Sequence, residues 1–365
     1  MKFYRFKLYI TEFYDIFKEG TFFGFIFYLL FKLKSSFLKF KIEEYNTSKR
    51  LSLIGCGTYQ VSINLPCAIK SKFIVSQLTT NGSKSGDQLC ELISNKIQIY
   101  KNVDSLSKNN SSDAFLLGSP HFLHPKHLMT ISKTNKKIYC EKPVAIDQKG
   151  LNLIKNIKLE NSKNIMIGFN RRFAPLVKKI KKENWLNENK LEIQYRVNFG
   201  QMVDNDLNNK NIGGGRLIGT CCHYVDLMEY ICNAKIIHVS AIGISNNLQI
   251  KENNFSANFN FSNGSIGNLI FTSSGNRKFS SKEQIFISGG SNNAEIIDFH
   301  TLKINNTTYR NYKNNYGALN IWKEFYKFVS EEIKSPVSLN DGIQATKITL
   351  AIQKSLKYYG KVQKL

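Results

Sequence analysis

Residues 51–60 read LSLIGCGTYQ, a β-rich run that breaks at Gly55 and Gly57 and continues as helix-compatible text. Two glycines at a strand end let the backbone turn tightly and approach a pyrophosphate. The helix that follows turns its N-terminal NH groups toward that charge. Gly55, Gly57, Thr58 and Tyr59 are therefore candidate dinucleotide contacts. At position 60 a Gly or Ala normally lets helix and strand pack closely, but here the residue is Gln, so the fingerprint is incomplete and a purely structural turn competes with it.

From Arg50 onward short β-rich runs alternate with helical text. Leu51–Gly55, Phe73–Leu78, Ala114–Leu117, Lys137–Cys140 and Ile165–Phe169 read as strands, with helices near Pro125–Ser132 and Gly150–Ile157, the alternation of a parallel sheet. After about residue 185 the strands lengthen and alternate in polarity: Leu191–Phe199, Ile236–Ile242, Phe255–Phe261, Ser265–Ser273 and Gln284–Ile287. Helices are expected at about Arg216–Cys232, Leu319–Ile333 and Asp341–Tyr359. The expected class is α/β: a dinucleotide-binding domain over 49–165, then an α+β domain over 166–365 with an open, mostly antiparallel sheet.

The 365 residues carry 42% hydrophobic side chains, enough for a large buried core. Seven cysteines form an odd set with no CxxC pair and no Cys/His cluster at zinc spacing, which indicates neither a disulfide framework nor a metal site and fits a reducing cytoplasm. The net charge of +24 would ordinarily point to nucleic acid, yet the basic residues are dispersed, so no nucleic-acid partner is expected. Residues 1–48 form an aromatic, basic extension. Its apolar run Phe22–Phe31 is shorter than the ~20 residues a bilayer span needs. Two readings stay open for it: a helix docked on the protein's own body or a partner subunit, and a basic amphipathic helix lying peripherally on a membrane.

Two further loops follow strands. GSPHFLHP, residues 118–125, offers Ser119, Pro120, His121 and His124 as cofactor contacts, against the alternative of a capped helix start with two surface imidazoles. YCEKPVAID, residues 139–147, places Glu141 and Lys142 before a φ-fixed Pro143 at a strand end, a suitable place for a proton donor, unless both are ordinary exposed charges. Past the second strand, SQLTTNGSKSG (76–86) has no acid to take the ribose 2′-OH. Thr80, Asn81 and Lys84 are instead donors suited to a 2′-phosphate, which tilts the expectation from NAD(H) to NADP(H); a loop that touches nothing is the alternative.

Together with GFNRRFAPLV (168–177) and GGGRLIGTCCHYVDL (213–227), these motifs resemble, in order and spacing, the Gfo/Idh/MocA oxidoreductases. The resemblance implies a Rossmann domain and an NAD(P)-dependent dehydrogenase acting on CH–OH groups of a sugar, cyclitol or nucleotide-sugar, with a place in surface-polysaccharide synthesis. It implies Lys142 as catalytic acid/base, His223 as its partner over the substrate, Arg172 as a cofactor or substrate contact unless it forms an interdomain salt bridge, and a homo-oligomer. The segments GFNRRFAP, YRVN (195–198) and GGGRLIG are similar to the branch fused to zinc-type alcohol dehydrogenases. Relatives carry an Asp one helical turn before the histidine; here that position is Gly219, with Asp226 as a substitute if it is not simply packed. Gln60 and Gly219 keep open a rival: a non-catalytic dinucleotide-binding scaffold recruited through its N-terminal segment.

Overall fold

The computed structural model describes residues 22–32, 46–80, 84–93, 96–109, 111–200, 209–245, 247, 251–275 and 280–365. They form two compact units. The first holds the described residues up to Ala145 with Lys149–Phe169 and Ala318–Gly342; the second holds Ile146–Gln148, Asn170–Gly317 and Ile343–Leu365.

The first unit is built on six strands: β1 (Lys49–Ile54), β2 (Phe73–Thr79), β3 (Gln98–Tyr100), β4 (Ala114–Leu117), β5 (Lys137–Cys140) and β6 (Ile165–Ile167). Their order is β3-β2-β1-β4-β5-β6, and every pairing is parallel. Helices cover both faces of such a sheet, so the central strands are continuous apolar runs: Ala114, Phe115, Leu116 and Leu117 have no exposed surface. From β1 the chain winds to β2 and β3 on one side and to β4, β5 and β6 on the other. The carboxyl ends of β1 and β4 therefore flank the crevice where open α/β sheets bind ligands.

Two segments join this unit from far away in sequence. The helix Phe22–Lys32 buries Gly24, Phe27, Tyr28 and Phe31, the i, i+3, i+4, i+7 face of one helix, against Gln60–Asn64, Leu65–Lys70 and Lys84–Leu92. Phe27 and Tyr28 have no exposed surface, and full burial of each contributes roughly 1.5–3 kcal/mol. This part of the N-terminal extension is thus docked on the protein's own body. From the other end comes the helix Ala318–Val329. Its Trp322 stacks on Tyr139 at 4.6 Å between centroids and meets Phe73 and Phe325 edge-on. A division at residue 166 places 318–342 in the second domain; these residues cluster instead with the first unit, because the aromatic face of that helix packs on β2 and β5.

The second unit is a nine-stranded sheet of β7 (Glu192–Asn198), β8 (Ile236–Gly243), β9 (Asn254–Phe261), β10 (Ile266–Thr272), β11 (Glu283–Gly289), β12 (Asn292–Ile297), β13 (Thr301–Ile304), β14 (Thr307–Arg310) and β15 (Gln363–Lys364), in the order β14-β13-β12-β11-β7-β10-β9-β8-β15. All pairings are antiparallel except that of β7 with β10. Burial alternates along the strands, with Gly267, Leu269 and Phe271 inside and Ile266 and Ile270 outside. The helix Gly215–Cys232 lies on the inner face. Tyr224 meets Tyr195 at 5.1 Å, and a side chain at Gly267 would strike Met228 Cε at 2.5 Å.

Candidate functional site

In the first unit the backbone ties three strand ends into one edge. Gly55 N donates to Thr79 O, Gly118 N to Ile54 O and Glu141 N to Leu117 O, each at 2.9 Å. The glycine turn, the Ser119–His121 loop and the Glu141–Pro143 turn consequently stand side by side. The two glycines differ in duty. Gly55 has φ +91°, and a Cβ on it would lie 2.7 Å from Gly118 O, so both backbone conformation and space demand glycine. At Gly57 a Cβ would meet no described atom within 4 Å. That open position, exposed along with Thr58 and followed by the half-buried Tyr59, is the cradle a dinucleotide phosphate requires, and the residues fit such a group.

Gln60 does not destroy this turn. Its helix opens as a π-turn over Gln60–Asn64 before narrowing into Leu65–Lys70, and the side chain takes the space that Gly118, lacking a Cβ, leaves beneath it. Asn64, one turn on, is held on all sides: its Oδ1 accepts from Trp322 Nε1 at 3.0 Å, and its Nδ2 donates to Gln60 Oε1 at 3.0 Å and to Glu141 Oε1 at 2.7 Å. Glu141 is buried and accepts a second bond, 3.2 Å from Lys142 N at its Oε2. Desolvation raises its pKa; the Lys142 charge and the Asn64 and Lys142 hydrogen bonds oppose that rise without cancelling it. Glu141 is therefore no ordinary exposed charge, while Lys142 beside it is half-buried.

The histidines of the second loop are interior too. His124, with no exposed surface, sets Nδ1 2.8 Å from Pro143 O and Nε2 2.8 Å from Ser119 O, so one ring bridges the two loops. Burial pulls its pKa down to about 4 against the upward pull of the two carbonyls, so the ring is neutral at pH 7. His121 is buried with its ring 5.4 Å from that of His124, and Pro120 is exposed. His127, which the sequence did not single out, lies 2.9 Å through Nδ1 from Ser119 Oγ. The reading of a helix start with surface imidazoles thus does not describe this loop. Beyond β2, Thr80 is half-buried, and its Oγ1 would be 2.9 Å from a Cβ at Gly86. Asn81 and the side chain of Lys84 lie outside the described residues.

In the second unit His223 is buried midway along the helix Gly215–Cys232. Asp226, the candidate substitute for the missing acid at Gly219, is held by Arg172. Its two oxygens accept from Arg172 Nε at 2.9 Å and Nη2 at 2.6 Å, a bidentate pair buried at both ends. The same pair turns two donors of the Arg172 guanidinium toward an internal carboxylate. Neighbouring Arg171 forks onto Glu283 through Nε at 2.9 Å and Nη2 at 2.5 Å, with Tyr195 OH donating to the same carboxylate at 2.5 Å and the Tyr224 and Tyr316 rings beside the guanidinium. Among the described residues no group of three or more His, Cys, Asp or Glu is arranged to hold a metal ion, and no helix is long and apolar enough to cross a membrane.

A parallel sheet with this strand order, a glycine turn at its switch point and a second, largely antiparallel unit define a dinucleotide-dependent oxidoreductase architecture. The chain belongs to the Gfo/Idh/MocA family: residues 49–169 match the oxidoreductase family with NAD-binding Rossmann fold, and residues 189–291 match the GFO/IDH/MocA C-terminal domain. Among curated relatives, the uncharacterized oxidoreductase YrbE of Bacillus subtilis is 22% identical over 262 residues, 67% of this chain and 76% of that protein. Glucose-6-phosphate 3-dehydrogenase of the same organism is 26% identical over 163 residues, 42% of this chain and 46% of that enzyme. Among solved structures, scyllo-inositol dehydrogenase from Lactobacillus casei with bound NAD(H) and scyllo-inositol superposes with a TM-score of 0.70 at 15% identity, covering 87% of this chain and 99% of that one, a likeness of fold.

Proposed function

We propose that this oxidoreductase transfers hydride between a nicotinamide dinucleotide and a hydroxyl or ketone carbon of a sugar, cyclitol or nucleotide-sugar. The observation that carries the reading is the edge formed by the ends of β1, β4 and β5, where the open Gly57 cradle and the Glu141-Lys142-Pro143 turn are joined by backbone hydrogen bonds. When bound, the nicotinamide supplies the hydride acceptor or donor. Gly55, Gly57, Thr58 and Tyr59 hold its pyrophosphate; Ser119, Pro120, His121 and His124 line the adjoining loop. Lys142 Nζ takes the hydroxyl proton during oxidation and returns it during reduction, while Glu141 fixes the Lys142 backbone from below. His223 orients the substrate, a role that rests on the resemblance of its helix.

Thr80, Asn81 and Lys84, with no acid among them, favour NADP(H) over NAD(H). Glucose-6-phosphate 3-dehydrogenase and the inositol-bound scyllo-inositol dehydrogenase support a polyhydroxylated substrate by the words of their names alone. The likeness of GFNRRFAP and GGGRLIG to the branch fused to zinc-type alcohol dehydrogenases supports a position beside that branch, and surface-polysaccharide precursor synthesis is the setting we favour. The outer face of the large sheet exposes Ile242, Ile266, Ile270 and Phe286, which supports a homo-oligomer.

The test begins with fluorescence titration of NADH and NADPH, followed by a panel of aldoses, sugar phosphates, inositols and nucleotide-sugars monitored at the nicotinamide absorbance. Tighter binding of NADPH and turnover of at least one panel member are expected. Lys142→Ala should then lose roughly 10²–10⁴-fold in kcat with dinucleotide affinity retained. Binding without turnover across the panel would point to the scaffold reading, and wild-type rates in both Lys142→Ala and His223→Ala would remove the assigned roles.

A further inference from the structure

We propose that Gln60 is itself a dinucleotide-binding residue, its carboxamide Nε2 donating a hydrogen bond to the bound cofactor at a place where the glycine fingerprint supplies no side chain. This inference rests on the dinucleotide-binding reading above and adds a contact to it.

An indole NH can only donate, so Trp322 Nε1 fixes the Asn64 carbonyl oxygen, and Asn64 must present its NH₂ to Gln60 and Glu141. The amide atom of Gln60 facing Asn64 is therefore its oxygen, and its nitrogen points the other way. That nitrogen lies over Gly118, where it and Cδ occupy the volume that a Cβ on Gly118 would fill. Gly118 follows β4 directly, and its NH is bonded to the last residue of β1, so Nε2 sits between the two strand ends that flank the crevice. Among the described residues no acceptor is bonded to it, although the residue is only 5% exposed. Nε2 is not sealed from solvent, and a phosphate or ribose oxygen in the crevice would accept the N–H that no described protein atom takes.

Local chemistry also accounts for how a bulky residue came to sit here. The π-turn over Gln60–Asn64 widens the helix, and Gly118 supplies the missing volume, so the side chain reaches the crevice without displacing Gly55 or Gly57. π-turns inside helices recur at functional sites for this kind of reason.

Full-length wild-type protein and the variants Gln60→Ala, Gln60→Glu and Trp322→Phe would be titrated with NADH and NADPH by fluorescence and melted without ligand. Gln60→Ala should weaken the better-bound dinucleotide about 3- to 10-fold, the worth of one hydrogen bond. Gln60→Glu keeps an acceptor for Asn64 but turns the donor into a carboxylate, and should weaken it more than about tenfold. Trp322→Phe breaks the network at its far end yet keeps the Gln60 amide; it should lower the melting temperature and leave affinity within about twofold. Unchanged affinity in both Gln60 variants overturns the contact, as does an equal loss in Trp322→Phe. Failure of the wild type to bind either dinucleotide removes the function and this contact together.

Discussion

Buried ionisable groups are handled in opposite ways by the two units. In the second unit Arg171 meets Glu283 and Arg172 meets Asp226, each pair a fork with aromatic faces closing its sides. In the first unit Glu141 faces a neutral amide and a backbone NH, and His124 faces two carbonyls. Compensated pairs hold one arrangement. In the first unit burial displaces the proton equilibria instead, upward for Glu141 and downward for His124. A scaffold gains from the first pattern, and a site that binds an anionic cofactor and moves a proton gains from the second.

Breaking one member of a fork is the most severe test. Arg171→Met leaves Glu283 buried without its counter-ion and should destabilise the chain by about 3–5 kcal/mol in denaturant titration. The double variant Arg171→Met, Glu283→Leu should regain most of that loss. If the single variant melts like the wild type, the fork is not what holds the second unit.

The pH response sharpens the contrast from the other side. His124 has its folded pKa depressed from an ordinary value near 6.5 to about 4, so its contribution is present above pH 6.5 and is lost as pH falls through that window. The loss approaches about 3 kcal/mol below pH 4, because each tenfold change in proton affinity is worth roughly 1.4 kcal/mol. His124→Gln should flatten this limb of the stability curve between pH 6.5 and 4; an unchanged slope would mean the ring is not buried neutral. Glu141 runs the opposite way. With its folded pKa raised, stability declines as pH climbs from the ordinary carboxyl range, and Glu141→Gln should gain on the wild type over that climb.

The smallest effect separates the two glycines. Gly55→Ala meets a positive φ and the Gly118 carbonyl, and should cost about 1–3 kcal/mol in a thermal melt. Gly57→Val meets open space, and should leave the melt nearly unchanged while raising the Kd for the preferred dinucleotide. A reversal of that pattern would place the cradle elsewhere on the turn.

Much of the first unit was legible along the chain because its signals are local. Apolar runs mark fully buried parallel strands, and Gly55, Lys142 and Pro143 stand at strand ends where loops must turn. The three-residue strand β3, with Gln98 and Ile99 exposed, carries no such run and passed unread. In the second unit, the strands β7 to β11 declared themselves by alternation, whereas β12 to β15 are short and polar enough to read as turns. The bond between Gln60 and Asn64 was not legible either, since nothing in a run of residues distinguishes a π-turn from an α-turn.

The amino-acid sequence by itself determined the class of fold and the family, because periodicity and turn residues act over a few neighbours. Tertiary structure decided where the buried polar groups find partners. Trp322 reaches Asn64 across 258 positions, Glu283 reaches Arg171 across 112, and Asp226 meets Arg172 across 54. Such pairings follow from which surfaces the packed elements bring together, and no local pattern encodes them. The same holds for Phe27 and Tyr28, which the helices beside Gln60 bury.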